Sequence, residues 1–143
     1  MIRGMKMTAS IHNRAGEHVA EVATGDADPR AVPIPPRDGA PGSGVSGGEL
    51  LLLALATCYG NDVYREAAAR GIPIDAVEVT AEASFPAAGA PASAVSYRAR
   101  VRSSAPEDDV RELLAHTDRV AEIQATVRAA IPVELTRVDV LPA

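Results

Sequence analysis

A capped, almost wholly apolar helix over residues 47–70 is the feature that most constrains the fold of this chain. Ser46 and Glu49 have the spacing of a capping box, in which each side chain accepts a hydrogen bond from a free backbone N–H at the helix start. Gly71 and Pro73 are typical of a helix end. The pattern therefore predicts a helix of about 24 residues and about 36 Å.

The first half of this helix has no polar face. Within residues 50–58, only Thr57 is not apolar. The run is shorter than the roughly 18 apolar residues that a membrane span needs, so we expect a core helix and no membrane contact. The chain has 143 residues, and one domain of that size can hardly enclose such a helix. We therefore expect a single domain over residues 1–143 that forms a homodimer.

The net charge and the single cysteine indicate which partners and which cell compartment to expect. The net charge is -5 and no local cluster of Lys or Arg stands out, so we expect no nucleic acid partner. The N-terminal segment lacks the apolar stretch of a secretory signal, and a single cysteine cannot form an internal disulfide. A reducing cytoplasm is the expected compartment.

Strand-like segments flank the long helix on both sides. Their alternation or β-branched composition predicts strands at residues 6–13, 17–24, 30–35, 74–84, 94–102 and 133–141. The first two are expected to form a hairpin with Arg14 in its turn, and the fourth and fifth a second hairpin. The Pro- and Gly-rich residues 26–48 are predicted to form a loop.

Two shorter helices are predicted after the second hairpin. Ser104 and Glu107 have the spacing of a second capping box, and Thr117 is a candidate N-cap for a further helix that Pro132 ends. Strands and helices are thus segregated rather than strictly alternating. This order predicts an α+β fold.

The sequence offers no metal or cofactor motif. His12, His18 and His116 are scattered and do not have zinc-ligand spacing, so we interpret them as ordinary surface or strand-end residues. The glycines before the long helix lack a P-loop lysine and the Rossmann spacing. We expect neither a cofactor nor a metal.

Cys58 is the only cysteine, and its position on the apolar helix allows two interpretations. Free cysteines are often buried as small hydrophobic residues, which favours inert packing. A reactive Cys58 needs a cationic neighbour to stabilise the thiolate, and Arg14 is the candidate. Asp62, four residues later, shares its helix face, but a carboxylate favours the thiol over the thiolate, so we interpret Asp62 as a dimer-contact or capping residue.

Several segments together resemble the OsmC/Ohr family, the osmotically inducible protein C and organic hydroperoxide resistance proteins. The similarity lies in GGELLL at 47–52, ALATC at 54–58, Asp62-Val63, GIPI at 71–74 and IPVE at 131–134. It covers about residues 8–140.

The resemblance implies an intertwined α+β homodimer in which the cysteine helix is buried at the subunit interface. It also implies that Cys58 attacks the O–O bond of an organic hydroperoxide and that Arg14 holds Cys58 as a thiolate. Glu49, which the capping box already engages, completes the candidate catalytic set. No cofactor is implied.

The chain departs from the family pattern at two positions. Ala121 falls where the family has its second, resolving cysteine, and Gly48 falls where the peroxidase branch has a glutamate. Two function classes follow. One, which we favour, is a one-cysteine peroxidase that is reduced by an external thiol. The other is a non-catalytic dimer that binds a small hydrophobic ligand at the subunit interface while Cys58 merely packs.

Overall fold

Hairpins and helices follow one another through residues 4–143, the part of the chain that the computed structural model describes. In chain order the elements are β1 (Met7–Arg14), β2 (Glu17–Thr24), β3 (Arg30–Ala31), α1 (Gly47–Arg70), β4 (Ala76–Ser84), β5 (Ala94–Arg102), α2 (Glu107–Val120) and α3 (Glu122–Ala129). The predicted α+β fold class is confirmed. The chain divides into two compact units with the boundary after Leu50. The single domain over residues 1–143 stays a prediction.

The N-terminal unit is built on an antiparallel sheet in the order β1-β2-β3. A two-residue turn joins β1 to β2, and its Gly16 has a φ of +74°, which glycine adopts without steric cost. Arg14 is the last residue of β1, opposite Glu17, rather than part of the turn. The predicted hairpin is therefore confirmed, with Arg14 moved by one position into the strand.

The loop after β3 is held by backbone hydrogen bonds. The predicted edge strand at 30–35 ends at Ala31, because the prolines that follow lack the N–H that a strand ladder needs. The loop instead folds on itself, since the Gly44 N–H donates to the Pro35 carbonyl at 2.7 Å. A Cβ on Gly44 would lie 2.9 Å from that same oxygen, so only glycine fits this close approach.

The start of α1 confirms the predicted capping box. The Ser46 N–H donates to Glu49 Oε1 at 3.0 Å, and the Glu49 N–H donates to Ser46 Oγ at 3.1 Å. Two backbone donors that the helix leaves free are thus satisfied reciprocally. The helix runs over the predicted residues 47–70.

The C-terminal unit has its core between α1, the β4–β5 hairpin and the following helices. Tyr59, Val63 and Ala121 form the buried centre. The partly buried residues packed against it are Cys58, Val77, Val79, Tyr97, Ala99 and Leu114. The hairpin has the predicted antiparallel pairing, so alternate residues of β4 and β5 face this core.

The other face of the β4–β5 hairpin is charged. Arg98 Nη1 lies 2.6 Å from Glu82 Oε1, and Arg100 Nη1 lies 4.0 Å from Glu78 Oε2. Both pairs are well exposed, so each contributes little to stability.

Two predicted helix caps are wrong. Ser104 does not cap α2, whose N-cap is Pro106 without a side-chain hydrogen bond. The reason is that the ring of Pro106 disfavours a helical backbone at the residue before it, so Ala105 does not join the helix. Thr117 does not start a helix either, because its hydroxyl donates to the Leu113 carbonyl at 2.8 Å inside α2. The break between α2 and α3 falls at Ala121, which has an extended backbone.

The predicted last strand over 133–141 is also wrong. Residues 131–143 form no regular element, and their apolar side chains are exposed, with Val133 at 96% and Leu135 at 86%. A strand requires a neighbour for its backbone hydrogen bonds, and no strand within residues 4–143 pairs with this tail. Among the described residues, no helix is long and apolar enough to cross a membrane.

Candidate functional site

Cys58 lies in the middle of α1, partly buried, and packs against the core cluster of Tyr59, Val63 and Ala121. Its thiol points to the carboxylate one turn later, with Sγ 3.9 Å from Asp62 Oδ2. This is a weak hydrogen bond in which the S–H donates. The shared helix face of Cys58 and Asp62 is the one that the sequence predicts.

Asp62 is a buried carboxylate, with 7% of its surface exposed. Burial raises its pKa, which the charge of Arg65 counteracts and the charges of Glu122 and Glu66 reinforce. Arg65 Nη1 donates to Asp62 Oδ1 at 2.9 Å, so one carboxylate oxygen faces the arginine and the other faces the thiol. The hydrogen bond from the Cys58 thiol also acts to lower the Asp62 pKa, so the contact itself favours an ionised carboxylate beside the thiol, as the sequence predicts.

Ala121 belongs to the same core cluster against which Cys58 packs. It is fully buried, at 0% exposure, in the extended link between α2 and α3. The residue that replaces the expected second cysteine is therefore part of the cluster against which Cys58 packs.

The two other candidate catalytic residues lie in the N-terminal unit. Arg14 ends β1 opposite Glu17 and forms no ion pair within residues 4–143. Glu49 is committed to the capping box, where the hydrogen bonds from the Ser46 backbone and side chain lower its pKa. Contact of either residue with Cys58 stays a prediction.

A polar network lies next to Cys58 along the core. The Tyr59 hydroxyl donates to the Leu114 carbonyl at 2.8 Å, and the Tyr59 ring packs edge-on against the Tyr97 ring, with 4.9 Å between centroids. The Tyr97 hydroxyl donates to Asp118, which also accepts from Arg128 at 2.7 Å. This network joins β5, α1, α2 and α3.

The network shifts the ionisation of its members. Burial, followed by the Asp118 charge, raises the pKa of Tyr59 to about 12. Burial also acts to raise the pKa of Asp118, but the hydrogen bonds from Arg128 and Tyr97 outweigh it and hold that pKa below its ordinary value. Tyr59 and Tyr97 are therefore neutral donors at pH 7, and Asp118 is an ionised acceptor.

The three histidines differ in burial and in hydrogen-bond partners, which the sequence does not predict. His12 is exposed on β1, and His116 Nε2 lies 3.0 Å from Glu66 Oε2 in the C-terminal unit. His18 is partly buried: its Nδ1 lies 2.6 Å from Asn13 Oδ1, and its Nε2 is buried with no hydrogen-bond partner within residues 4–143. The interpretation of His18 as an ordinary strand-end residue misses this buried nitrogen. The predicted hairpin places Asn13 opposite His18, so the sequence could have indicated this pair but not the burial of Nε2.

No group of three or more His, Cys, Asp or Glu in the described part of the chain is arranged to hold a metal ion.

Comparisons with known proteins identify the fold. A family model described as "OsmC-like protein" matches residues 40–136. The structure of an OsmC-like protein from Mycoplasma pneumoniae is similar at 17% identity, covering 90% of this chain and 89% of that chain, with a TM-score of 0.62. An organic hydroperoxide resistance protein OsmC from Legionella pneumophila is similar at 18% identity, covering 86% and 89%, with a TM-score of 0.55.

A third similar structure is an OsmC-like protein of unknown function from Vibrio cholerae, at 12% identity, covering 87% of this chain and 94% of that chain, with a TM-score of 0.57. No curated protein sequence matches the chain significantly. At these identities the solved structures establish a common fold.

Proposed function

Because this chain belongs to the OsmC-like protein family, we propose that it is a one-cysteine thiol peroxidase of the oxidative stress response. It reduces organic hydroperoxides through Cys58 in the cytoplasm, and an external thiol reduces it in turn. The observation that carries the proposal is the Cys58 thiol facing the buried Asp62 carboxylate beside the core cluster that contains Ala121. The Legionella relative, named as an organic hydroperoxide resistance protein, supports the substrate class.

The reaction begins with a proton transfer. Asp62 accepts the proton of the Cys58 thiol, and the burial that raises its pKa makes it a stronger base than an exposed aspartate. The thiolate attacks the terminal oxygen of the hydroperoxide. The S–O bond forms as the O–O bond breaks, Cys58 becomes a sulfenic acid, and the leaving alkoxide takes the proton back from Asp62 to become an alcohol.

Two external thiols complete the cycle. The first condenses with the Cys58 sulfenic acid, which releases water and leaves a mixed disulfide. The second attacks that disulfide, which frees Cys58 and releases the oxidised external pair. An external reductant is required because Cys58 is the only cysteine of the chain and Ala121 stands at the resolving position.

Arg14 is proposed to stabilise the Cys58 thiolate, as the family resemblance implies. Its guanidinium lacks an ion-pair partner within residues 4–143, which leaves it available for this role. Glu49 is proposed as an indirect contributor that fixes the start of α1 through the capping box.

We also propose that two copies form the functional unit. The exposed apolar side chains of the tail and of α1 support this, with Leu135 at 86% and Leu53 at 59% exposure. Burying such surface is favourable by about 25 cal/mol per Å². Sedimentation velocity of the wild-type chain should show a dimer that Leu135→Lys weakens and that Phe85→Lys, the same kind of change at an exposed apolar residue outside the tail and α1, leaves intact. A wild-type monomer at all concentrations would contradict this.

The function is tested by measuring the rate of Cys58 oxidation with cumene hydroperoxide and with hydrogen peroxide, followed by intact-mass spectrometry. We expect oxidation by the organic peroxide much faster than that of free cysteine, and turnover with dithiothreitol. Cys58→Ser should abolish turnover. Arg14→Gln should slow oxidation, whereas Arg30→Gln, an arginine of the same unit, should not.

Two results would overturn the proposal. One is an oxidation rate no better than that of free cysteine, and the other is turnover that survives Cys58→Ser. Either result would make Cys58 a packing residue and favour the alternative of a dimer that binds a small hydrophobic ligand at the subunit interface.

A further inference from the structure

A cleft of about 510 Å³ lies within the C-terminal unit, between β5 and the two helices that follow it. Val95, Tyr97 and Ala99 form one wall, because alternate residues of β5 share a face. The other wall comes from α2, on which Leu114 and Asp118 lie one helical turn apart. The volume falls within the range of about 300–1,000 Å³ that small-molecule sites occupy.

One acid and one base are among the described residues that line this cleft, and hydrogen bonds join them. Arg128 Nη2 donates to Asp118 Oδ1 at 2.7 Å, and Arg128 Nη1 donates to the Asp118 carbonyl at 3.3 Å. The Tyr97 hydroxyl also donates to Asp118 Oδ1. These bonds hold a carboxylate and a guanidinium side by side at the edge of an apolar wall.

Both charged groups keep hydrogen-bonding capacity that a ligand can reach. Tyr97 and Arg128 both donate to Asp118 Oδ1, and within residues 4–143 no group donates to Oδ2. The Arg128 guanidinium has more N–H donors than its two bonds to Asp118 use. The side chain of Asp118 is 38% exposed and that of Arg128 is 55% exposed, so both are accessible from the cleft.

The rest of the lining offers mainly hydrocarbon. The Tyr59 hydroxyl is already used, because it donates to the Leu114 carbonyl at 2.8 Å. Ser96 lies at a position of β5 that alternates to the face opposite Val95 and Tyr97. An occupant therefore meets an apolar wall beside one anion and one cation.

A ligand with a single charge matches this pair poorly. A carboxylate at Arg128 would lie beside the ionised Asp118, and an ammonium at Asp118 would lie beside the Arg128 guanidinium. A ligand with both charges close together instead meets an opposite charge at each of its own. A free α-amino acid carries an ammonium and a carboxylate on one carbon atom.

We propose that this cleft binds a free α-amino acid with an apolar side chain. The ammonium donates to Asp118 Oδ2, the carboxylate accepts from Arg128, and the side chain packs against the apolar wall. A peptide terminus fits less well, because its amide bond removes one of the two charges. The site uses neither Cys58 nor Asp62, so it holds whether or not the chain is a peroxidase.

The test compares L-phenylalanine with 3-phenylpropionate and 2-phenylethylamine on the full-length wild-type chain. The three ligands share a ring, but the second lacks the ammonium and the third lacks the carboxylate. NMR titration should show L-phenylalanine binding at least about tenfold more tightly than either, the ratio expected for one hydrogen bond between charged groups. The methyl signals of Val95 and Leu114 should shift, whereas those of Val22 and Ile34 in the N-terminal unit should not.

Matched arginine variants locate the carboxylate. Arg128→Gln should weaken binding of L-phenylalanine at least about tenfold without weakening that of 2-phenylethylamine, because only the carboxylate depends on Arg128. A general loss of structure would weaken both. Arg111→Gln removes an exposed arginine that pairs with Glu107 outside the cleft, so it should bind like the wild type. The ligand comparison on the wild-type chain stands even if Arg128→Gln does not fold.

Three results would overturn the proposal. The first is no saturable binding of L-phenylalanine, and the second is equal or tighter binding of either ligand with a single charge. The third is a set of shifted methyl signals that excludes Val95 and Leu114.

Discussion

The Cys58 thiol and the Asp62 carboxylate lie one helical turn apart on α1, with 3.9 Å between Sγ and Oδ2. The carboxylate is buried and paired with Arg65, so its orientation is fixed. This relationship gives the sulfur a proton acceptor on its own helix.

Replacing Asp62 by Asn should slow oxidation of Cys58 by cumene hydroperoxide by about 10²-fold or more, because the amide can neither accept the thiol proton nor return it to the leaving oxygen. Asp108→Asn, an exposed aspartate in the first turn of α2, is the control and should react like the wild type. Stopped-flow oxidation at pH 7 measures both. An unchanged rate in Asp62→Asn would remove this residue from the mechanism.

The same substitution should change how stability depends on pH. Burial raises the pKa of Asp62 in the folded chain, so the folded state binds this proton more tightly than the unfolded state does. The free energy of unfolding of the wild type, relative to Asp62→Asn, should therefore fall as pH rises from the ordinary aspartate value of about 4. Urea unfolding at pH 3.5 to 7 measures this difference, and a rising trend would contradict it.

Replacing Ala121 by Cys should create an internal resolving thiol. Cys58 packs against the core cluster that contains Ala121, and a sulfenic acid at Cys58 can condense with a nearby thiol to form a disulfide with loss of water. We expect hydroperoxide to produce a species two hydrogens lighter than the reduced variant. Ala129→Cys, near the end of α3, serves as the control and should give an oxygen adduct instead. Only oxygen adducts in Ala121→Cys would contradict the expected closeness.

Tyr97→Phe should destabilise the fold by about 1–3 kcal/mol, because it removes a hydrogen bond to a charged acceptor in a partly buried network. Tyr64→Phe changes an exposed tyrosine and should stay within about 0.5 kcal/mol of the wild type. The pKa of Asp118 is lowered, so its contribution exists above the ordinary value of about 4 and is lost as pH falls below it. Denaturant unfolding at pH 7 and pH 3 should show a Tyr97→Phe effect that shrinks at the lower pH.

Gly44→Ala should destabilise the N-terminal unit by about 1–3 kcal/mol, because the new Cβ would lie 2.9 Å from the Pro35 carbonyl oxygen and the loop must shift. Gly47→Ala is the control, since a Cβ there meets no atom within 4 Å and alanine favours a helix. Thermal unfolding of the two variants compares them. Equal stability would show that the loop yields without strain.

Local signals in the sequence predict much of the fold. The capping box of Ser46 and Glu49, the Gly71 end of α1 and the turn at Gly16 each act within a few residues, and each is confirmed. The predicted Ser104 cap is wrong for a reason that the local sequence contains, because Pro106 restricts the backbone of Ala105. Thr117 fails because its hydroxyl finds a carbonyl within its own helix. The tail strand fails because strand pairing depends on a neighbour that the sequence pattern does not identify.

In the candidate site, too, local patterns predict some features and tertiary packing determines the others. Helical spacing suffices to place Asp62 beside Cys58, since residues four apart share a face. That Ala121 joins the same cluster depends on how α2 and α3 pack, which no local pattern encodes. The hairpin turn at Gly16 suffices to place Asn13 opposite His18, but the burial of His18 Nε2 depends on packing that no local pattern encodes.

The exposed acids of β4 and arginines of β5 oppose aggregation of this chain. A two-stranded sheet has open edges to which a strand of another molecule can add, and such additions begin aggregation. Here an incoming strand or sheet would have to remove water from the charged groups of Glu78, Glu82, Arg98 and Arg100. Their ion pairs are exposed, so they offset only part of the cost of removing that water. The charged face thus helps crowded, newly synthesised copies of this chain stay dispersed.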